Sequence, residues 1–148
     1  MRICHSNALE KGQSTLELAI ILPAMLLLLL AAADFGRALF VAVDLQNAAQ
    51  AGAQYGSQSV VTAADSPGMV TAAKTNGAEI NNLSVTTSEC TCTSGSTITS
   101  CPQSYCTNNP QSNYIEVDTH ASFQLIGTYL GISSPIQLSG KAIMQVRP

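Results

Sequence analysis

The chain has 148 residues, a formal net charge of −3 and an isoelectric point near 5.1. Charged residues make up 10% of it, whereas they make up about 25% of an average soluble protein. No run of Lys or Arg occurs, so the composition argues against binding of nucleic acid or another polyanion. The length predicts one domain, but the first third is too apolar for a water-soluble core.

Residues 18–33, "LAIILPAMLLLLLAAA", form an uncharged apolar run. A bilayer core about 30 Å thick needs about 20 helical residues. The run gains that length beyond Asp34, because most residues from 35 to 43 are apolar and Arg37 can extend its charged end toward water. Pro23 is tolerated in a membrane helix and is expected to bend it. The segment 13–43 is therefore predicted to cross a membrane once.

Three kinds of export segment fit such a run. It is a plain single-pass anchor, or a secretory signal peptide cut after Ala33 at the small residues 31–33. The third alternative is a prepilin-type leader, in which the cut precedes the apolar segment and the segment stays in the mature protein. Glu17, one residue before the run, favours the third alternative, because an anchor or signal peptide gains nothing from a carboxylate there.

A cut after Gly12 gives Glu17 a role. It leaves Gln13 as a new N-terminus, with Glu17 as the fifth mature residue, so the carboxylate can pair with its own α-amine or with that of a neighbouring subunit. A buried ion pair of this kind specifies register more than it adds stability. Glycine leaves the backbone uncrowded for the peptidase, and Arg2 and Lys11 keep the leader cytoplasmic.

The stretch "KGQSTLELAIILPAMLLLLLAAADFGRALFVAVDLQNAAQAGAQYGS" carries several features together. They are the leader glycine, the early glutamate, the Pro-interrupted apolar helix, an acidic-Phe-Gly-Arg stretch, an Ala-rich segment and a Gly-Ala-x-Tyr pattern: Gly12, Glu17, Pro23, Asp34 to Arg37, Asn47 to Ala49 and Gly52 to Tyr55. In this combination the sequence resembles TadE-like proteins, the minor pilins or pseudopilins of the tight-adherence (Tad/Flp) machinery. The resemblance extends more loosely to "IQLSGKAIMQVRP". Gln54 departs from the family pattern, which has a basic residue there.

The resemblance implies a minor pilin that takes part in assembly of an adhesion pilus. It implies a leader (1–12) removed by a prepilin peptidase between Gly12 and Gln13, a transmembrane and assembly helix (13–43), and an exported head (44–148). The protein is then expected to cross the bacterial inner membrane once, with the head in the periplasm or on the pilus. Its expected partners are other pilin subunits, the assembly machinery, the peptidase and the bilayer. The expected assembly residues are Glu17, Asp34, Phe35, Gly36 and Arg37.

The helix is predicted to continue to about Tyr55. A 3.6-residue period places small apolar residues on one face: Ala38, Val41, Ala42, Leu45, Ala48, Ala49, Gly52 and Gly56. Asn47, Gln50 and Gln54 fall on the opposite face. The small-residue face is expected to pack on the chain's own sheet, and small residues also allow another helix to approach. One shorter helix or two broken turns are predicted next, with Ser66 as N-cap, Pro67 at the first helical position and an end near Asn76-Gly77.

The C-terminal half predicts antiparallel strands. "NYIEVDTHASFQLI" alternates, with odd-numbered residues from Ile115 to Leu125 inward and even-numbered residues from Tyr114 to Gln124 on a wet face. "PIQLSGKAIMQV" alternates in the same way, and "NLSVTTS" is a shorter third candidate. Residues 127–135 are expected to form a loop. The predicted fold is therefore α+β and pilin-like, with a long membrane helix on a small antiparallel sheet and a disulfide-rich loop.

The four cysteines of the head lie in a polar, loop-like stretch: Cys90, Cys92, Cys101 and Cys106. The spacing lacks the paired C-x2-C knuckles of zinc sites, and an exported segment favours disulfides. A 90–92 bond would be strained. Two pairings remain: 90–106 with 92–101, or 90–101 with 92–106. Cys4 falls in the predicted leader.

No enzyme, cofactor or metal is predicted. His120 is expected on the polar face of a strand beside Asp118, where a solvated imidazole is the ordinary interpretation. Glu116 and Asp118 share that face and are interpreted as a wet edge that resists aggregation. The alternatives from other classes are a secreted structural or adhesive domain released after Ala33, and a metal-binding or catalytic module with a metal on the four cysteines.

Overall fold

The computed structural model describes residues 10–91, 112–127 and 131–147, with side chains described from residue 14 onward. The described helices are α1 (Glu10–Gly56), α2 (Val60–Ala63) and α3 (Ser66–Asn76). The described strands are β1 (Ser84–Thr91), β2 (Asn113–Phe123) and β3 (Ile136–Gln145). The α+β prediction, a long N-terminal apolar helix with a small antiparallel sheet, is confirmed.

The long helix α1 is continuous over 47 residues and runs through Pro23. At about 1.5 Å per residue it is about 70 Å long. It begins at Glu10, so Gly12 and Gln13 both lie in its first turn. The helix therefore starts before the predicted position 13 and ends one residue past the predicted Tyr55.

The upper part of α1 packs on the sheet through its small residues, as predicted. Leu45, Ala48, Ala49 and Ala53 are completely buried, whereas Asn47, Gln50 and Gln54 are exposed. Small side chains let the helix axis lie close to the strands, so the core is thin and relies on close backbone approach. The core cluster is Ala49, Ala53, Ala63, Met69, Ile115, Val117, Ala142 and Val146.

The short helix α3 was predicted with the wrong cap. Its N-cap is Asp65, whose carboxylate accepts a hydrogen bond from the N–H of Gly68 at 3.1 Å. Ser66 is the first helical residue. An aspartate immediately before Ser-Pro is as good a cap as serine, which is why the sequence alone misplaced the start by one residue. The predicted end near Asn76-Gly77 is confirmed, with Gly77 as the C-cap.

The helix α2 was not predicted. It has only four residues and depends on a local capping box, in which Ser59 and Thr62 exchange side-chain-to-backbone hydrogen bonds. Four residues are too few to show a helical period.

The three described strands form one antiparallel sheet in the order β1-β2-β3. The inward set of β2 was predicted correctly: Ile115, Val117, Thr119, Ala121 and Phe123 are all buried. The prediction of a uniformly wet opposite face was wrong, because Tyr114 and Glu116 are also buried. β2 is the central strand, so side chains from strands on both sides flank its outer face, as Lys141 does at Glu116; this face is buried at Tyr114 and Glu116 and exposed from His120 onward.

Strand β1 is longer than predicted and includes Cys90, which was assigned to a loop. It pairs with β2 as far as Thr91 opposite Asn113, and Cys90 lies buried opposite Tyr114. Cys92, Cys101 and Cys106 lie outside the described residues. The disulfide-rich loop and its pairing therefore stay predictions.

Candidate functional site: the junction of the long helix and the head

The predicted assembly residues divide between two environments on α1. Glu17 is exposed between the exposed leucines Leu16 and Leu18. Asp34 is 2% exposed, although the residues around it on the helix are mostly exposed. Phe35 is 66% exposed and Gly36 has no atom within 4 Å of the position a Cβ would take. The structure thus brings Asp34 to the head and leaves Phe35 and Gly36 open.

Asp34 binds the backbone of the chain segment that follows β2. Its two carboxylate oxygens each accept a hydrogen bond from the N–H of Ile126 at 3.1 Å, and Oδ2 also accepts one from the N–H of Gly127 at 3.0 Å. A buried carboxylate is costly unless it is satisfied by hydrogen bonds, and hydrogen bonds to a charged group are the stronger kind. The aspartate therefore fastens this loop of the head to the long helix.

Arg37 lies one helical turn above Asp34 and contacts both the helix and the sheet. Its Nη1 is 3.4 Å from Asp34 Oδ1, and its guanidinium carbon lies 5.2 Å from the ring centre of Phe123. That distance is within cation–π range. Because the arginine side chain is 52% exposed, its net contribution to stability is small, but it covers the edge of the aspartate site.

A polar cleft of about 370 Å³ opens above this junction. It lies between α1, the turn at residues 79–82 and the end of β2. Asn82 in that turn has a φ of 58°, which asparagine tolerates better than most residues. The cleft residues are Arg37, Val41, Glu79, Ile80, Asn81, Asn82, Ala121, Ser122, Phe123 and Gln124.

Two further contacts between α1 and the sheet were missed by sequence reasoning. Gln46 brackets the backbone of Lys141: its Nε2 donates to the carbonyl at 2.8 Å and its Oε1 accepts from the N–H at 3.2 Å. The completely buried Thr119 hydroxyl lies 2.9 Å from the carbonyl oxygen of Leu45 and 3.2 Å from that of Gly140. Such pairs are distant in sequence, and periodicity carries no signal for them.

Glu116 and Asp118, which were interpreted as a wet edge, both form ion pairs with Lys141. Lys141 Nζ lies 2.5 Å from Glu116 Oε1 and 3.2 Å from Asp118 Oδ1. The hydrogen bond to Glu116 is the main cause of a raised Lys141 pKa, with Asp118 adding to it. Glu116 is buried and its second oxygen, Oε2, has no partner among the described residues. His120 is exposed on the same strand.

At the far end of the head, Tyr55 fastens the end of α1 to the start of α3. Its hydroxyl donates to Asp65 Oδ2 at 2.7 Å. This hydrogen bond raises the pKa of Tyr55 and, together with the Gly68 N–H, lowers the pKa of Asp65. The tyrosine of the Gly-Ala-x-Tyr pattern thus has a structural contact within the chain.

Among the described residues, no group of three or more His, Cys, Asp or Glu side chains is arranged to hold a metal ion. The other end of the molecule is apolar instead. The helix from Ser14 to Gly56 is long and apolar enough, by length and composition, to cross a membrane, and none of its most apolar window is buried in the protein.

Comparison with known proteins supports the predicted resemblance. The family model described as "TadE-like protein" matches residues 12–54. No curated protein and no solved structure matches the chain. The matched region begins at the predicted leader glycine, contains the whole Asp34 to Arg37 stretch and ends one residue before Tyr55. Residues 12–54 are therefore a TadE-like segment, consistent with a protein associated with a Tad pilus.

Proposed function

We propose that this protein is a membrane-anchored minor pilin, or pseudopilin, that takes part in assembly of a Tad/Flp-type adhesion pilus. A prepilin peptidase cuts between Gly12 and Gln13, and the freed α1 helix packs against the helices of other subunits. The head, residues 44–148, lies in the periplasm or on the pilus surface. Disulfides among its four cysteines stabilise it there. The role is structural and involves no catalysis.

The observation that carries this proposal is the division of one continuous TadE-like helix into two parts. Below Asp34 its large apolar side chains are exposed, from Leu16 at 64% to Leu29 at 64%. Above Asp34 one face is buried against the sheet. A helix whose apolar side chains are exposed in the isolated chain needs lipid or other helices around it. A pilin subunit is surrounded by lipid before assembly and by the helices of other subunits after it.

Glu17 determines the register in which the apolar part of α1 packs against neighbouring subunits. It is exposed among leucines, and an ionisable side chain within a membrane segment is expensive unless it has a partner. The α-amine of Gln13, freed by the cut, lies one helical turn away. In an assembled bundle, the α-amine of a neighbouring subunit can pair with Glu17 in one register only.

The alternative, a secreted domain released after Ala33, fits the junction less well. That cut would make Asp34 the first residue of the mature protein. Its carboxylate would then have to bind the backbone of Ile126 and Gly127 from the first residue of the chain, where a helix end frays and where a new α-amine lies beside the carboxylate.

The first test is the N-terminal sequence and intact mass of the mature protein from native membranes. A start at Gln13 supports the proposed cut by a prepilin peptidase. A start at Asp34 contradicts it and supports secretion by signal peptidase. A chain that retains its leader contradicts both.

The second test is assembly by Glu17→Ala and Glu17→Gln variants, with Leu16→Ala as a matched control on the neighbouring exposed residue. Loss of piliation in both Glu17 variants, with normal processing and normal membrane levels, is expected. Unchanged piliation would contradict a role for the Glu17 charge. The Leu16 control should assemble, because it alters apolar surface without altering charge.

A further inference from the structure

The position of Asp34 on α1 fixes how deep the head lies relative to a bilayer. A span of about 20 residues that begins at the first exposed leucine, Leu16, ends near Phe35. With this placement, which lies inside the predicted segment 13–43, Asp34 is at the outer boundary of the hydrocarbon. Leu39, Phe40 and Val43 further along that segment are at least half exposed, and a span that included them would place Asp34 deeper, so in either placement Asp34 is no further out than this boundary.

The contacts of Asp34 bring part of the head to the same depth. Its carboxylate is hydrogen-bonded to the backbone of Ile126 and Gly127. The two arms of this loop are joined by a hydrogen bond from the Leu125 N–H to the Ser134 hydroxyl at 3.3 Å. We define the lower loop as residues 124–127 and 131–135. The lower loop cannot move away from the bilayer into water without breaking its backbone hydrogen bonds to Asp34.

The side chains of the lower loop suit a lipid surface. Ile126 is 64% exposed and Ile132 is 55% exposed. The sequence has no Asp, Glu, Lys or Arg between Asp118 and Lys141, so the end of this hairpin is free of charge in a head that carries charges elsewhere. The surface becomes polar again in the cleft above, which Arg37, Glu79 and Asn81 line.

We propose that the lower loop is a second membrane contact, in which Ile126 and Ile132 insert into the interfacial layer of the bilayer that α1 crosses. In this placement the exposed apolar side chains of the loop begin at the depth in the bilayer where the exposed apolar part of α1 ends. Interfacial apolar faces bury about 5–10 Å into the boundary between headgroups and acyl chains. The loop thereby sets the tilt of the head and shields the Asp34 carboxylate from the lipid.

This inference depends on the proposed membrane anchoring, so the experiment reports on the two separately. The chain contains no tryptophan, which makes single-tryptophan reporters possible. The full chain is reconstituted into phosphatidylcholine vesicles without brominated lipid, with lipid brominated near the headgroup, or with lipid brominated near the end of the acyl chains, because a residue near the middle of the span, such as Leu27, contacts only the deeper bromines. Ile132→Trp and Ile126→Trp report on the loop, and Leu27→Trp, at a 64% exposed position, reports on the helix. Val61→Trp is the matched head control, because Val61 is 80% exposed on α2, which follows the end of α1 away from the junction.

Emission from the two loop reporters should be blue-shifted and quenched about twofold or more by lipid brominated near the headgroup, as expected for an interfacial depth of about 5–10 Å. The Val61→Trp emission should be unaffected. Two loop positions are used so that a local packing defect at one of them does not decide the result.

Three other results would overturn the inference. If Leu27→Trp is quenched and both loop reporters behave like Val61→Trp, the anchor stands and the lower loop lies in water. If the loop reporters are blue-shifted without quenching, protein covers them instead of lipid. If Leu27→Trp is also unquenched, the anchoring fails and the depth argument fails with it.

Discussion

The carboxylate of Asp34 accepts hydrogen bonds from the backbone N–H of Ile126 through both of its oxygens, each at 3.1 Å. This relationship joins the first charged residue after the apolar run to a loop in the C-terminal part of the chain. It explains why a charged residue directly follows a long uncharged stretch. The carboxylate binds a loop of the head, and the backbone N–H groups of that loop satisfy the buried charge.

Replacing Asp34 should loosen the lower loop. Asp34→Ala removes the acceptor for two backbone N–H groups and should lower the free energy of unfolding by about 1.5–3 kcal/mol, the usual range for hydrogen bonds to a charged group. Asp34→Asn keeps one carbonyl acceptor and should cost less. Hydrogen exchange of the Ile126 and Gly127 amides is the measurement, and both should exchange faster. Unchanged exchange in Asp34→Ala, or an equal effect from Asp44→Ala on the same helix, would contradict the assignment.

The backbones of α1 and β3 approach closely at Gly140. A Cβ built there would lie 2.6 Å from the carbonyl carbon and 2.7 Å from the carbonyl oxygen of Leu45, so Gly140→Ala forces backbone apart and should destabilise the head by about 1–3 kcal/mol. Gly36→Ala is the matched control on α1, because nothing lies within 4 Å of its Cβ position. That variant should be neutral or gain up to about 1 kcal/mol, since alanine favours helix over glycine. Denaturant titration in detergent compares the two.

Gly36→Ala also separates folding from assembly. If the variant folds normally but piliation is lost, the open surface at Gly36 is a contact for another subunit. Normal piliation would remove Gly36 from the predicted assembly residues.

The Tyr55 and Asp65 pair predicts a stability limit at each end of the pH scale. The folded pKa of Asp65 is lowered, so its contribution is present above the unfolded value of 3.8 and is lost as the pH falls through the lower folded value. The folded pKa of Tyr55 is raised, so its contribution is present below 10.0 and is lost as the pH rises through the higher folded value.

Tyr55→Phe should therefore flatten the stability profile at both limits. Asp65→Asn should remove the contribution of Asp65 to the acid limb, because the variant has no carboxylate to protonate at this position. Thermal unfolding across the pH range is the measurement. If Tyr55→Phe has the same profile as the wild-type chain, the hydrogen bond contributes nothing in solution.

The four cysteines of the head should be oxidised in the exported protein. Each disulfide would close a loop of about 10–17 residues and contribute about 3 kcal/mol in the chain-entropy model. Intact mass without reductant should be four hydrogens below the reduced mass, with no thiol left for alkylation. Peptide mapping distinguishes the two remaining pairings. Free thiols in protein from the periplasm would contradict the prediction.

The sequence predicted those parts of the fold that depend on local pattern. The small-residue face from Leu45 to Ala53 and the inward residues of β2 follow from periods of 3.6 and 2, and both were correct. The burial of Tyr114 and Glu116 was missed, because alternation reports two faces but does not say that a central strand is covered on both.

The junction shows the same limit. Asp34 and Arg37 were identified through the family resemblance and were expected to serve assembly. Their contacts to Ile126 and Phe123 join residues far apart in the chain, and a single sequence contains no information on such pairs. Thr119 and Gln46 were missed for the same reason, since a threonine on an inward strand position and a glutamine on a helix are ordinary in any sequence.

The unbroken path of α1 through Pro23 has a mechanical consequence. The helix is continuous from its apolar part into the head, and hydrogen bonds of Asp34 and Tyr55 join it to the head at two points. A displacement of the apolar part along the helix axis is therefore passed to the head through the backbone hydrogen bonds of α1, which rises about 1.5 Å for each residue.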